Sequence, residues 1–374
     1  MGELLPRAVQ WAHTMAGHGD GGAVVRAHAD SAATIAGPHV VDRRAREELE
    51  AKLLRPGAAL ASGAGNRALP EDPDPERTCF ERDRDRIVHS AAFRRLAGKT
   101  QVFVHPRDHE RTRLTHALEV AQVAVSIARG AGVNISLTDA IALGHDCGHG
   151  PGGHASEDAF DPYVPGGYDH GPWGADVVLT PLNLCTETLD GVRNHSWSRP
   201  APMTVEGEIV SWADRIAYCA HDLEDALSAG ILAEKDIPAD IVEVAGRTRR
   251  EQISTFVRGV IAGIADHGEV CMSADLAAAL AAMRSFNYER IYTRPDSVAQ
   301  ARSVVKVLQT LVEHYAEVPH VLPGAPAADP GTPEAVRAAV TYVGGMTDRY
   351  AFDTAISLLG WNPDDLPQGI REHD

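Results

Sequence analysis

The chain has 374 residues, 44% of them hydrophobic and 23% charged. That mixture supports a buried core in one large or two ordinary domains and excludes a disordered or fibrous chain. The 35 Lys and Arg against 52 Asp and Glu leave a formal charge of −17, which argues against a nucleic-acid coat or a binder of anionic membranes, since both need a basic footprint. Cys79, Cys147, Cys185, Cys219 and Cys271 form no C-x-x-C pair and are too few for a disulfide framework, so a reducing cytoplasm is the expected compartment. MGELLPRAVQWAHTMAGHGD lacks a basic stretch followed by an apolar run, so no signal peptide is expected. No apolar run reaches membrane-spanning length, so no membrane partner is expected.

In chain order, residues 1–70 read as a partly flexible N-terminal extension, rich in Ala, Gly and His, with one short helix over 41–54. Residues 71–374 read as one helical domain. Helical periodicity runs over 80–96, carried by Ile87, Phe93 and Leu96. It returns over 113–129, where Leu118, Val120, Ala121, Val123, Ala124 and Ile127 form a broad apolar face. Ser136-Leu137-Thr138-Asp139 predicts a capping box opening a helix that runs to Asp146. The Gly/Pro-rich stretch 147–168 cannot be one continuous helix. Further helices are predicted over 173–179, 184–194, 205–228, 241–264, 274–284, 297–317, 333–343 and 348–359. Nothing alternates for longer than a short strand, and no repeat is visible. The expected fold class is all-α.

Of 18 histidines, ten fall between His89 and His221. Four residues stand out: His116 in RTRLTHALEVAQ, His145-Asp146 in ALGHDCGHG, and Asp214 in SWADRIAYCAHDLEDAL. Each lies on a predicted helix among apolar neighbours, where a carboxylate is costly unless it is paired or binds a metal. One such histidine is more often a satisfied core residue, and a lone His-Asp dipeptide is a common accident. The ordered set is harder to dismiss. Two imidazoles and two carboxylates suit Mn, Fe, Co, Ni or Zn, with open positions left for phosphate oxygens.

The words ERDRDRIVHSAAFRRLAGKTQVF, RTRLTHALEVAQVAVSIARG, LGHDCGHGPGGHASEDAF, GGYDHG, LNLCTETLDGVRNH and EIVSWADRIAYCAHDLEDAL occur in this order. Together they resemble the HD-domain superfamily, specifically its deoxyguanosine-triphosphate triphosphohydrolase branch. The likeness covers about residues 77–230, with an HD core over about 110–230, and continues weakly through FNYERIY. Residues 1–43 have no counterpart. The resemblance implies the helical HD fold with added C-terminal helices, and a divalent metal, manganese or magnesium favoured, on His116, His145, Asp146 and Asp214. It implies hydrolysis of a dNTP at the α-phosphate to a deoxynucleoside and tripolyphosphate. Partners implied are the dNTP substrate, further copies of the chain, and a nucleotide or single-stranded DNA effector.

His154 and Glu157 are three apart and share a helix face, and an imidazole held by a carboxylate can move protons near neutral pH. In the family these positions look like the catalytic dyad, while His149 is similar to a histidine facing the α-phosphate. His170 of GGYDHG corresponds to the histidine of the family's G-G-F-E-H-N word, which resembles a proton donor or phosphate contact. Two departures stand out: Gly171 replaces the Asn, and the usual H-P-P-F-G-H loop reads HGPGGH. They touch loop placement and base selectivity but no metal ligand.

Arg113, one turn before His116, is placed to clamp a phosphate, with Arg215 beside Asp214 as a secondary candidate. Asp214, Tyr218 and Asp222 recur at helical spacing, forming a polar stripe from phosphates towards sugar. The plain alternative for Asp222, near Glu224 and Asp225, is a solvated acidic helix. The resemblance implies that Tyr218, Asp222 and Gln101 lie near the ribose, where Tyr218 would exclude a 2′-hydroxyl. Tyr288 and Tyr292 are candidates to close the pocket. Residues 76–113, with ten Lys and Arg against six Asp and Glu, are expected to reverse the global charge locally. Two other readings remain: an HD phosphohydrolase acting on a monophosphate or cyclic nucleotide, and a nucleotide-binding regulator without catalysis. Intact His154 and Glu157 speak against the second.

Overall fold

The computed structural model describes residues 5–19, 21–37, 39–106, 109–324 and 328–369. The chain divides into two compact units, residues 1–41 and 42–374. In the first, α1 (Pro6–Thr14) has no buried residue, and two-residue strands β1 (His18–Gly19) and β2 (Val25–Arg26) pair antiparallel. The division falls at 41/42 and not near residue 70. Residues 42–70 are tied into the larger unit by their polar groups. Asp42 caps α2 (Arg43–Leu53) by accepting from the Ala45 amide, and the Arg67 guanidinium donates to Asp83 and to the Asn183 and Cys79 carbonyls.

The larger unit is all-α among its described residues, as the periodicity predicts. Thr78 and Glu81 form a capping box that opens α3 (Cys79–His89). The predicted helix over 80–96 breaks at Ser90, which turns extended and caps α4 (Ala91–Arg95) by accepting from the Phe93 amide. Next come α5 (Arg113–Ala131) and α6 (Ile135–Gly144). The predicted cap at Ser136 is replaced by Asn134, whose side chain accepts from the Leu137 amide at 3.1 Å. Asn134 is itself held, its amide donating to Glu206 and its carboxamide to Glu50, so the helix starts where this anchored residue sits.

α7 (Ala155–Phe160) interrupts the Gly/Pro-rich stretch, and α8 (His170–Trp173) runs into a wide π-type turn over Gly174–Val178. α9 (Thr186–Asn194) and α10 (Val205–Ser228) follow. The helix predicted over 241–264 is two, α11 (Ala239–Ala245) and α12 (Arg249–His267), parted by Gly246 at φ 97°. The chain ends with α13 (Ala274–Asn287), α14 (Pro295–Glu317), α15 (Pro333–Gly344) and α16 (Asp348–Leu359). No helix among the described residues is long and apolar enough to cross a membrane.

Two apolar clusters organise these helices. The first centres on α5, α6 and α10, where Ile127, Leu137, Ile141, Ile209 and Ile216 are fully buried. Each such side chain contributes about 1.5–3 kcal/mol, and the alanines Ala117, Ala121, Ala124 and Ala213 let the backbones approach. Leu118, assigned to this face by periodicity, points outward at 50% exposure. The second cluster joins α7 to α14, α15 and α16. Two buried charges link it to the loops around the site. Lys99 donates to the Gly344 and His149 carbonyls, and Asp348 accepts from the Thr100 and Gly152 amides at 2.9 and 2.8 Å.

Candidate active site

His116 sits in the first turn of α5, His145-Asp146 follow the last residue of α6, and Asp214 lies midway along α10. The close packing of these three helices brings the four side chains together. His116 Nε2 is 3.1 Å from Asp214 Oδ1 and 3.9 Å from Asp146 Oδ2. His145 Nε2 is 3.7 Å from Asp214 Oδ1 and 3.5 Å from Asp146 Oδ1. An ion bonded at about 2.0–2.2 Å to N and O donors holds them roughly 3–4.4 Å apart, from cis to trans, so these residues could hold a metal. The tautomer agrees. The His145 Nδ1–H donates to the Ala142 carbonyl at 2.6 Å, leaving Nε2 with a lone pair, buried and without a partner. Burial works against charge on Asp146 and Asp214, but Arg113 and the histidines hold Asp146, and His116 and His145 hold Asp214, well below the ordinary range.

The loop beyond the HD pair folds back on this cluster. A Cβ at Gly148 would lie 2.0 Å from the His170 carbonyl and 2.6 Å from the Gly174 amide nitrogen, so only glycine lets α8 dock here. Docking stacks the His149 and His170 rings, centroids 3.8 Å apart and planes 16° apart. Glu157 joins two imidazoles, with Oε2 2.8 Å from His154 Nδ1 and Oε1 2.8 Å from His170 Nδ1. The other His170 nitrogen is 3.1 Å from Nε2 of His195, whose own Nδ1–H donates to the Val192 carbonyl at 2.8 Å. The His195 Nε2 is therefore an acceptor, and His170 must donate from Nε2. Burial lowers the His170 pKa, but Glu157 outweighs it and raises the group, which fits an imidazolium donating from both nitrogens. His149, desolvated beside Arg113 and His170, is held neutral far below its usual range. The His154 side chain is 73% exposed and its Nε2 is free to face a ligand.

A cavity of about 1110 Å³ adjoins these groups. Every site residue expected from sequence lines it except His145 and Glu157, which stand behind. Gln101 presents a buried carboxamide oxygen without a partner. The Arg113 Nη1 donates to Asp146 Oδ2 at 2.6 Å, while its Nε and Nη2 have no partner. Tyr218 accepts from Arg284 Nε at 2.9 Å. Asp222 is not solvated: burial pushes it up to about 7, and Tyr292 donates to it at 2.5 Å. Tyr288 lies at the edge, 56% exposed, so Tyr292 is the tyrosine that touches the stripe.

The charge expectation changes more. Arg77, Arg84 and Arg86 pair with Asp74, Asp139 and Glu71, and of the arginines in 76–113 only Arg113 lines the cavity among the described residues. The other cavity cations are Arg215, Arg284, Arg294 and Lys306. The lining also holds two serines, Ser196 and Ser211, the apolar Val102, Phe103 and Leu366, and the carboxylates Asp296, Asp364 and Asp365.

Residues 113–219 match the family model for the HD domain, and residues 270–356 that for the phosphohydrolase-associated domain. A deoxyguanosinetriphosphate triphosphohydrolase-like protein of Caldanaerobacter subterraneus subsp. tengcongensis is 40% identical over 316 residues, covering 83% of this chain and 93% of the relative. The chain belongs to the deoxyguanosinetriphosphate triphosphohydrolase-like family. Proteins of the same description from Clostridium perfringens (38% over 324 residues, 81% and 93% covered) and Deinococcus radiodurans (34% over 367 residues, 84% and 98% covered) agree. Membership makes the chain an HD-type phosphohydrolase, and the HD match spans all four candidate metal donors.

Sequence reasoning did not single out His195, Arg284, Trp197, Lys99 or Asp348. His195 ends one of the family-like words, but its spacing to His145 carries no ligand signature. Lys99 and Asp348 act through carbonyls and amides far away in sequence, which no local pattern reveals.

Proposed function

We propose that this chain hydrolyses deoxynucleoside triphosphates at the α-phosphorus in a metal-dependent reaction. Water adds at phosphorus, the bond from phosphorus to the 5′ oxygen breaks, and a proton goes to that oxygen. The products are a deoxynucleoside and tripolyphosphate. The observation that carries this reading is the juxtaposition of the four-donor cluster with the Glu157-bridged imidazoles, in a cavity that Arg113, Arg215 and Arg284 also line.

His116, His145, Asp146 and Asp214 would hold the ion. A bound divalent ion supplies Lewis acidity and offsets phosphate charge. The chain's own groups do the rest. Arg113, fixed on one edge by Asp146, turns its remaining N–H groups to a phosphate oxygen. His154, oriented through Nδ1 by Glu157, offers Nε2 to the leaving oxygen or the attacking water. The His170 imidazolium adds positive charge beside neutral His149. The stripe Asp214, Tyr218 and Asp222 guides the sugar, and Tyr218 against C2′ disfavours ribonucleotides. A monophosphate would leave Arg215 and Arg284 without a ligand, which favours the triphosphate.

The test is a panel of dNTPs and NTPs with Mn²⁺, Mg²⁺ or Co²⁺, products separated by charge. Tripolyphosphate from one or more dNTPs is the expected result. Pyrophosphate or orthophosphate as the first product contradicts the reading, and binding without turnover makes the chain a nucleotide-binding regulator.

A further inference from the structure

Resting on the dNTP reading, we infer that Trp197 is a positioning residue that keeps the Arg215 guanidinium unneutralised and aimed at the β- and γ-phosphates. The Arg215 Cζ lies 3.4 Å from the centroid of the Trp197 ring. Among the described residues no carboxylate pairs with Arg215, and its buried Nε has no hydrogen-bond partner. Arg284, on the same cavity, likewise pairs with no carboxylate among the described residues and donates to Tyr218 instead. Arg67, Arg86, Arg111 and Arg113 each carry a carboxylate at salt-bridge distance.

An ion pair and an aromatic face hold a guanidinium in different ways. A carboxylate cancels the charge and occupies the N–H donors. An indole face attracts the cation through its quadrupole and leaves the N–H donors in the guanidinium plane free for phosphate oxygens. Arg215 is therefore stored charged, with donors to spare, on the wall of the cavity.

The indole itself is fixed. Its Nε1–H donates to the Ser211 carbonyl at 3.0 Å, and its ring meets Trp212 edge to face, centroids 4.6 Å apart. Trp212 is fixed in turn by an Nε1–H bond of 3.1 Å to the Val270 carbonyl. Ser211 and Arg215 are one turn apart on α10, and Asp214 lies between them. Indole, guanidinium and candidate metal donor are thus referenced to one stretch of helix. Trp197 stays 45% exposed and lines the same cavity as Arg215 and Arg284.

The experiment compares wild type, W197A, W197F, R215A and W197A/R215A, using the dNTP that wild type turns over fastest. It measures kcat, KM, and inhibition constants for inorganic tripolyphosphate and for the deoxynucleoside product. W197A is expected to raise KM and the tripolyphosphate constant about tenfold, as loss of a cation–π contact predicts. Its kcat should change less than about twofold and its deoxynucleoside constant not at all. W197F, which keeps an aromatic face, should recover most of the loss. In the R215A background, W197A should add nothing further. If W197A does not fold, W197L, which fills the space without an aromatic face, takes its place with the same expectation. An unchanged tripolyphosphate constant overturns the inference. So does equal weakening of both inhibitors, or full additivity with R215A. Wild type releasing no tripolyphosphate would instead overturn the dNTP reading beneath it, so the two failures are distinct.

Discussion

The two walls of the cavity are built on different terms. On the side made by α5, the end of α6 and α10, His116, His145 and Asp146 are buried to 2% exposure or less, and the Asp214 side chain is 20% exposed. The facing wall, made by α14 and residues 361–369, is half-exposed and has little regular structure past α16 beyond the turn Pro363–Asp365. One side chain holds much of it. Gln300 Oε1 accepts from the Gln368 and Gly369 amides at 3.0 and 3.2 Å, and its Nε2 donates to the Gly369 carbonyl at 2.5 Å. The contrast teaches a division of labour. The candidate metal donors sit where displacement is costly, and residues 361–369 sit where a few hydrogen bonds decide their shape.

The sharpest way to break this contrast is on the rigid wall. D146A removes a candidate donor and leaves buried Arg113 without its carboxylate; turnover should fall at least about 1000-fold, and equilibrium dialysis should show the divalent ion lost. Retained turnover would move the chemistry elsewhere. E157Q comes next. It weakens the hold on both His154 and His170, so kcat should fall about 100-fold while KM stays within about threefold. A pure KM effect would make Glu157 part of binding.

On the other wall the expected change is smaller and of another kind. Q300A frees residues 368–369, and KM should rise about fivefold, roughly the worth of one net hydrogen bond, with kcat reduced less than about twofold. A kcat loss as large as that of E157Q would erase the distinction between the walls.

The smallest effect concerns the tie between them. Burial, helped by Arg95, pushes Lys99 down to about 7 from an ordinary 10.5. Between those values the unfolded chain binds more protons than the folded one, so this group makes stability rise with pH across that window and contributes no slope below it. K99M should flatten urea-midpoint stability between pH 7 and 10 relative to wild type. An unchanged slope would show that the Lys99 ammonium is not the group titrating there.

Much of the rigid wall was legible in the residues. Helices α10 and α16 begin and end where periodicity says they should, and Thr204 and Thr347 cap them by accepting from the Gly207 and Tyr350 amides. The His-Asp set is readable because His116 and Asp214 sit on predicted helices and His145-Asp146 directly follow one. The same logic failed where two signals competed. Ser90 reads as helix interior and acts as a cap, and Asn134 outcompetes Ser136 because Glu50 and Glu206 anchor it from far away in sequence. The local positive field was misassigned because charges were counted along the chain, while Arg77, Arg84 and Arg86 spend theirs on carboxylates elsewhere. His195, the Trp197–Arg215 stack and the Gln300 clasp join separate elements. Only the packed structure reveals them.

The central claim is attack of water at the α-phosphorus with cleavage of its bond to the 5′ oxygen, and running the reaction in ¹⁸O-labelled water tests it most directly. Phosphorus NMR should place the label on a terminal phosphate of tripolyphosphate, with none in the deoxynucleoside. Label in the deoxynucleoside, or a labelled monophosphate beside pyrophosphate, would contradict the account.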